Sequence, residues 1–181
     1  GKRRGKKGGG GGGGGAQLVG KALALLEEAA ENPALRPAIA DQALGPVMEL
    51  LQSSYPEDFD AVAVDTKLVS VLTKICGFSA EASKKTAELG AAFSLFPMLF
   101  DPEVSPDLAE NILNCLILIK QQEDACGLLL SAIDMPKMME FIERNSNGAP
   151  LSVNQSGVLA LELLAGLAGA GGPAAAAAAP A

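Results

Sequence analysis

Residues 68–99, LVSVLTKICGFSAEASKKTAELGAAFSLFPML, constrain the fold more than any other stretch of this 181-residue chain. Leu68, Val71, Leu72 and Ile75 recur at the three-four spacing of a helix that buries one stripe. A polar break, a two-turn helix ending in Gly90, and a third apolar helix closing on Met98 and Leu99 follow. Such a unit carries more apolar surface than it can bury alone, so the chain must supply copies on both sides of it.

The copies are found by anchoring on the apolar pair that closes each unit: Leu50 and Leu51, Met98 and Leu99, Phe141 and Ile142. From Leu51 to Leu99 and from Leu99 to Ile142 the steps are 48 and 43 residues. A matching helix precedes each pair, with Leu23, Leu25, Leu26 and Ala29, then the Leu68 stripe, then Ile112, Leu113, Leu116 and Ile119. Val158, Leu161, Leu164 and Ala165 mark a fourth after the last pair. Leu and Ala dominate and β-branched runs are short, which favours helix over strand. Helices are predicted near 17–31, 34–42, 44–52, 65–77, 80–89, 91–100, 106–121, 123–133, 136–145 and 151–168. The fold class is all-α.

The run LALLEEAAENPALRPAIADQALGPVMELL resembles an armadillo repeat junction: a Leu-rich helix, an Asn32-Pro33 break, Arg36, a short helix with Ile39, and a helix closing in Leu50-Leu51. Steps of this size also suit the armadillo and HEAT class, whose repeats run ~40–47 residues. The resemblance covers roughly residues 18 to 168 and implies a right-handed α-solenoid of about three repeats after a preceding helix. That first helix looks like the last helix of an earlier repeat. The family's Gly before the closing helix is matched by Gly90 alone. Gln42 or Ala43 and Ile133 hold the equivalent places, which leaves HEAT-like geometry open there.

Three segments are expected. Residues 1–15, GKRRGKKGGGGGGGG, form a basic and polyglycine leader with no apolar side chain for a core; residues 16–168 form the repeat domain; residues 169–181 form a Gly/Ala/Pro tail. KRRGKK reads as a flexible leader or, alternatively, as a nuclear-targeting or nucleic-acid-gripping arm. The net charge of −7 includes five positive charges in that arm; without them nine positive stand against twenty-one negative. An acidic body repels phosphate backbones and suits a basic protein or peptide partner. No apolar run approaches the ~20 residues that span a bilayer, and no secretory h-region follows the basic start, so an intracellular setting, cytoplasmic or nuclear, is expected.

The chemistry is bounded by one absence. The chain has no His, which removes the commonest general base and metal ligand together, and with them triad, Cys-His and HExxH systems. Cys76, Cys115 and Cys126 are odd in number, scattered and without zinc spacing; they read as small buried thiols of a reducing compartment. Phosphate-binding glycine motifs are missing, and Glu27-Glu28, Glu57-Asp58 and Glu123-Asp124 are sequence neighbours that diverge by about 100° on a helix. The expected protein is a non-enzyme with no cofactor and no metal.

Binding is what remains. Armadillo proteins hold peptides or helices along a concave groove lined by the third helix of each repeat, and the importin type carries a Trp and Asn ladder there. The resemblance puts Ala24, Ser70, Asn114 and Leu159 at the Trp positions and Glu28, Lys74, Leu118 and Leu163 at the Asn positions, so the importin function does not carry over. Glu28, Ser70, Lys74 and Asn114 are the candidate partner-binding residues, since they interrupt otherwise apolar helices. The leading expectation is an interaction scaffold; a structural subunit of a larger assembly and a nuclear factor using the basic arm stand as alternatives. Glu57, Asp58 and Asp60 beside Tyr55 and Phe59 form a period-breaking loop that reads as a solvated insertion or a second ligand site.

Overall fold

The computed structural model describes residues 13–55, 59–146 and 154–170. The basic KRRGKK arm, most of the tail, Glu57 and Asp58 of the acidic loop, and most of the NSNGAP turn lie outside the described residues. Within them the chain is all-helical: α1 (Gly13–Ala30), a 3-10 turn (Pro33–Leu35), α2 (Arg36–Gln42), α3 (Leu44–Gln52), α4 (Ala61–Cys76), α5 (Ala80–Glu88), α6 (Ala91–Leu99), α7 (Pro106–Lys120), α8 (Glu123–Ala132), α9 (Met135–Arg144) and α10 (Gln155–Ala170).

Local chemistry sets most of the boundaries. Ser79 and Ser105 accept from the backbone N–H three residues on, at 3.1 and 3.3 Å, and start α5 and α7 where a side-chain oxygen first satisfies an orphan donor. Asp134 does the same for α9. α4 begins at Ala61, not near 65, because Asp60 caps Ala63 N at 3.1 Å and turns the AVAV run into a first helical turn. α10 begins at Gln155, not 151, since Asn154 is its cap, accepting from Gly157 N at 3.0 Å. At the other end of the chain α1 runs back into the polyglycine as far as Gly13, an extension of a helix nucleated by the Ala- and Leu-rich turns beyond it.

The long helices lie side by side in chain order: α4 packs on α1 and α7, and α7 on α4 and α10. The short helices form a second layer, with α3 against α4 and α6, α5 and α6 against α7 and α8, and α8 and α9 against α10. Leu68, Leu72 and Ile75 of α4 and Ile112, Leu116 and Ile119 of α7 belong to one buried core, which Leu51, Leu99 and Phe141 from the closing pairs also join. Leu50 and Met98 are only half-buried at its edge. At the α7–α10 seam a side chain on Gly166 would fall 2.4 Å from Lys120, so the bare backbone there lets Lys120 lie across α10.

The corner before each closing helix takes a different form. Gly90 has φ +85°, the left-handed conformation that only glycine adopts without strain. Ala43 stays right-handed at φ −96°, so α2 runs almost directly into α3, and Ile133 is extended at ψ 132°. Where the glycine is missing, so is the left-handed turn.

Side-chain contacts between distant elements share a sequence separation. Gln52 to Leu89, Thr73 to Asn111, Cys76 to Cys115, Lys84 to Asp124, and both Ser70 to Glu27 and Lys74 to Glu31 are 37, 38, 39, 40 and 43 positions apart respectively. All but the first join a helix to the matching helix about 40 positions away; Gln52, at the end of α3, reaches the corner between α5 and α6.

Candidate functional site

A stripe on each long helix is left uncovered by both layers. On α1 it runs through Gln17, Lys21, Ala24, Glu28 and Glu31; on α4 through Ala63, Lys67, Ser70 and Lys74; on α7 through Asp107, Asn111, Asn114, Leu118 and Gln121. These positions follow the three-four spacing, so the packing that buries the opposite faces turns the stripes to the same side of the row.

The four candidate residues all fall on this face, and the structure divides them. Glu28 and Asn114 are exposed. Ser70 is half-buried and donates its hydroxyl to Glu27 on α1. Lys74 is half-buried as well, paired with Glu31 and 3.9 Å from Glu27. Ser70 and Lys74 thus tie α4 to α1, which neither residue type announces. The hydrogen bond from Lys74, with its charge, holds the Glu31 carboxyl below the usual range. The positions matched to the importin ladder at the last helix are corrected: Leu159 and Leu163 are buried against α7, and Val158, Leu161, Glu162 and Ala165 are exposed instead. α10 is rotated relative to the pattern because its buried side must meet both α7 and α9.

A hollow of about 600 Å³ on the α1–α4 seam is lined by Gln17, Lys21, Ala24, Asp60, Ala63 and Lys67, two amines with a carboxylate among them. Further along the seam Glu27, Glu28 and Glu31 outnumber Lys74, so the acidic excess lies at that end.

A second hollow, about 630 Å³, opens on another side of the molecule between the start of α4, α6 and the start of α7. Val62 and Phe93, both 57% exposed, face Asp101 and Glu103 across it. The sequence reading missed this groove. Its signal is Phe93, a large aromatic out of phase with Ala92, Leu95, Phe96 and Leu99. The neighbouring acidic loop is partly spoken for: Tyr55 stacks on Phe59 at 5.7 Å and donates to Asp65 at 2.9 Å, and Asp60 caps α4. Arg36, the basic residue of the Asn-Pro junction, donates to Ala30 O at 3.2 Å and covers the Phe78 ring at 5.4 Å, closing the end of α1 over the next unit.

Among the described residues no group of three or more Cys, Asp or Glu side chains is placed to hold a metal ion, and no helix is long and apolar enough to cross a membrane. No protein-family model, curated protein or solved structure matches the chain.

Proposed function

We propose that this chain is a short right-handed α-solenoid of the armadillo and HEAT kind, about three repeats after a preceding helix, and that it works as a non-enzymatic scaffold. The recurrent separation of 38 to 43 positions between contacting side chains supports the repeat reading, because stacked units bring equivalent positions together. The observation that carries the function is the uncovered face of α1, α4 and α7, mounted on a packed row, with an acidic excess at one end of its first seam. Such a face suits an extended peptide or a helix, with basic side chains of the partner set against Glu27, Glu28 and Glu31.

The test is affinity capture with mass spectrometry, comparing the wild-type chain with Glu28→Lys/Asn114→Arg. Both positions are exposed, so the variant should melt with the wild type. Proteins retained by the wild type and lost by the variant support the reading; an unchanged set, or no specific set, overturns it.

One observation favours a second reading, a structural subunit of a larger assembly. Leu18 and Leu25, 69% and 66% exposed, lie on α1, and Met139, Val158 and Leu161 on α9 and α10, so both ends of the row show apolar side chains to solvent. A scaffold that acts alone elutes as a monomer in size-exclusion chromatography with light scattering. Concentration-dependent association abolished by Leu25→Glu would favour the subunit.

A further inference from the structure

Two of the three thiols, scattered in sequence, meet across the central seam. Cys76 is the last residue of α4 and Cys115 lies in the middle of α7; their sulfurs are 3.9 Å apart and both residues are buried. Cys126 sits apart, donating to Lys120 O at 3.3 Å at the start of α8. The seam around the pair is the most polar part of the core: Thr73, Ser83 and Thr86 border the two sulfurs. Those hydroxyls donate their protons to the carbonyls of Val69, Cys76 and Ala82, at 2.7 Å each. The contact between the two thiols is the strongest influence on either sulfur, and the hydroxyls add smaller ones.

We propose that Cys76 and Cys115 are a modification site, a thiol pair that peroxide converts to a reversible disulfide stapling α4 to α7. A disulfide needs its sulfurs about 2.05 Å apart, so the two must close by roughly 2 Å from the 3.9 Å at which they lie. The pair is asymmetric. The Cys115 thiol, hydrogen-bonded to its neighbour and fully buried, is pushed well above the usual thiol range, while the same hydrogen bond draws Cys76 down. Cys76 also adjoins exposed Gly77 at the end of α4, where opening a single turn admits a small oxidant. Cys76 is then the sulfur that reacts first.

The Cys76 thiolate attacks one peroxide oxygen, the O–O bond breaks, and the leaving hydroxide takes the proton released by the thiol to become water. Cys76 is left as a sulfenic acid. The Cys115 sulfur attacks Cys76 Sγ, the S–O bond breaks, and the departing hydroxyl leaves as a second water with the Cys115 proton. Two thiols have lost two hydrogens and two electrons, and hydrogen peroxide has been reduced to two waters. A dithiol reductant reverses the bond by exchange.

The experiment treats the full chain with hydrogen peroxide under native conditions, then denatures, alkylates and maps the peptides by mass. A Cys76–Cys115 cross-linked peptide is expected, with the chain lighter by two hydrogens, Cys126 alkylated, reversal by dithiothreitol, and a melting midpoint raised in the oxidised form because the bridge closes a loop in the unfolded chain. In Cys115→Ala, dimedone should trap a sulfenic acid on Cys76, and Cys126→Ala should cross-link as the wild type does. Recovery of Cys76 and Cys115 both alkylated, a bridge that includes Cys126, or a cross-link formed only when the chain is oxidised unfolded overturns the proposal. The wild-type map decides the question even if a variant fails to fold.

Discussion

α1 and α4 are built from similar material and end up in different surroundings. Both are Leu-, Val- and Ala-rich helices of comparable length, yet α4 buries Leu68, Val69, Val71, Leu72, Ile75 and more, whereas α1 buries only Leu23 and Ala30 among its described side chains. The difference is position in the row. α4 has a long helix on each flank and α1 has one, so Leu18 and Leu25 face water while α7, in the middle, is apolar on almost every side. A helix's pattern says that it needs a partner; its place in the stack decides how much of the need is met.

The sharpest way to break that contrast is to truncate equivalent leucines. Leu116→Ala in α7 removes a fully buried side chain and should cost about 2–5 kcal/mol in urea unfolding, transfer and cavity together. Leu25→Ala on the outer side of α1 should stay within about 0.5 kcal/mol of wild type. Equal losses would mean that the end of the row is covered in solution. The corners come next. Gly90→Val places a β-branched side chain at φ +85° and should cost about 1–3 kcal/mol. Gly127→Ala, inside α8 with open space around it, should instead stabilise by about 0.5–1 kcal/mol, since there the glycine only adds unfolded-state freedom. Removing a cap from the central row, Ser105→Ala, should cost about 1 kcal/mol, read from the same transitions.

How far the sequence reaches can be judged from these same residues. The helices were legible because apolar spacing and caps are local: α3 runs from Leu44 to Gln52, matching 44–52, and Gly90 turns left-handed as its place in the unit implied. The errors are also local competitions. Asp60 was read as part of a loop although an Asp before an apolar run is a cap, and Val158, Leu161, Leu164 and Ala165 were read as the buried stripe of α10, where Leu159 and Leu163 are buried and Val158, Leu161 and Ala165 exposed, because the pattern of α10 is apolar nearly all round. What no local signal holds is pairing across units. Cys76 meeting Cys115, and Ser70 and Lys74 meeting Glu27 and Glu31, depend on the register in which one helix settles against the next, and that is fixed by the shape of the whole interface. That Glu28, Ser70, Lys74 and Asn114 stand outside the buried core was therefore legible, and their pairing across units was not.

That pairing gives the smallest expected effect. Among the described residues two lysines pair across neighbouring helices, Lys74 with Glu31 and more distantly with Glu27 between α1 and α4, and Lys84 with Asp124 between α5 and α8, and the lysines draw the Glu31 and Asp124 carboxyls below the ordinary range. A carboxyl whose folded value lies below its unfolded one contributes stability that is fully present above the unfolded value and is lost as pH falls through the folded one. Both pairs reach solvent, so salt screens them and the contribution is slight. The α1 pair is the more telling of the two because it sits at the one-sided end of the row. Glu31→Gln should lower the melting midpoint a little at pH 7 and low salt. The gap from wild type should shrink as pH is lowered through the carboxylate range, and close in high salt. A gap independent of pH and salt would show that Glu31 acts through packing rather than charge, and that α1 is held to α4 by its apolar seam alone.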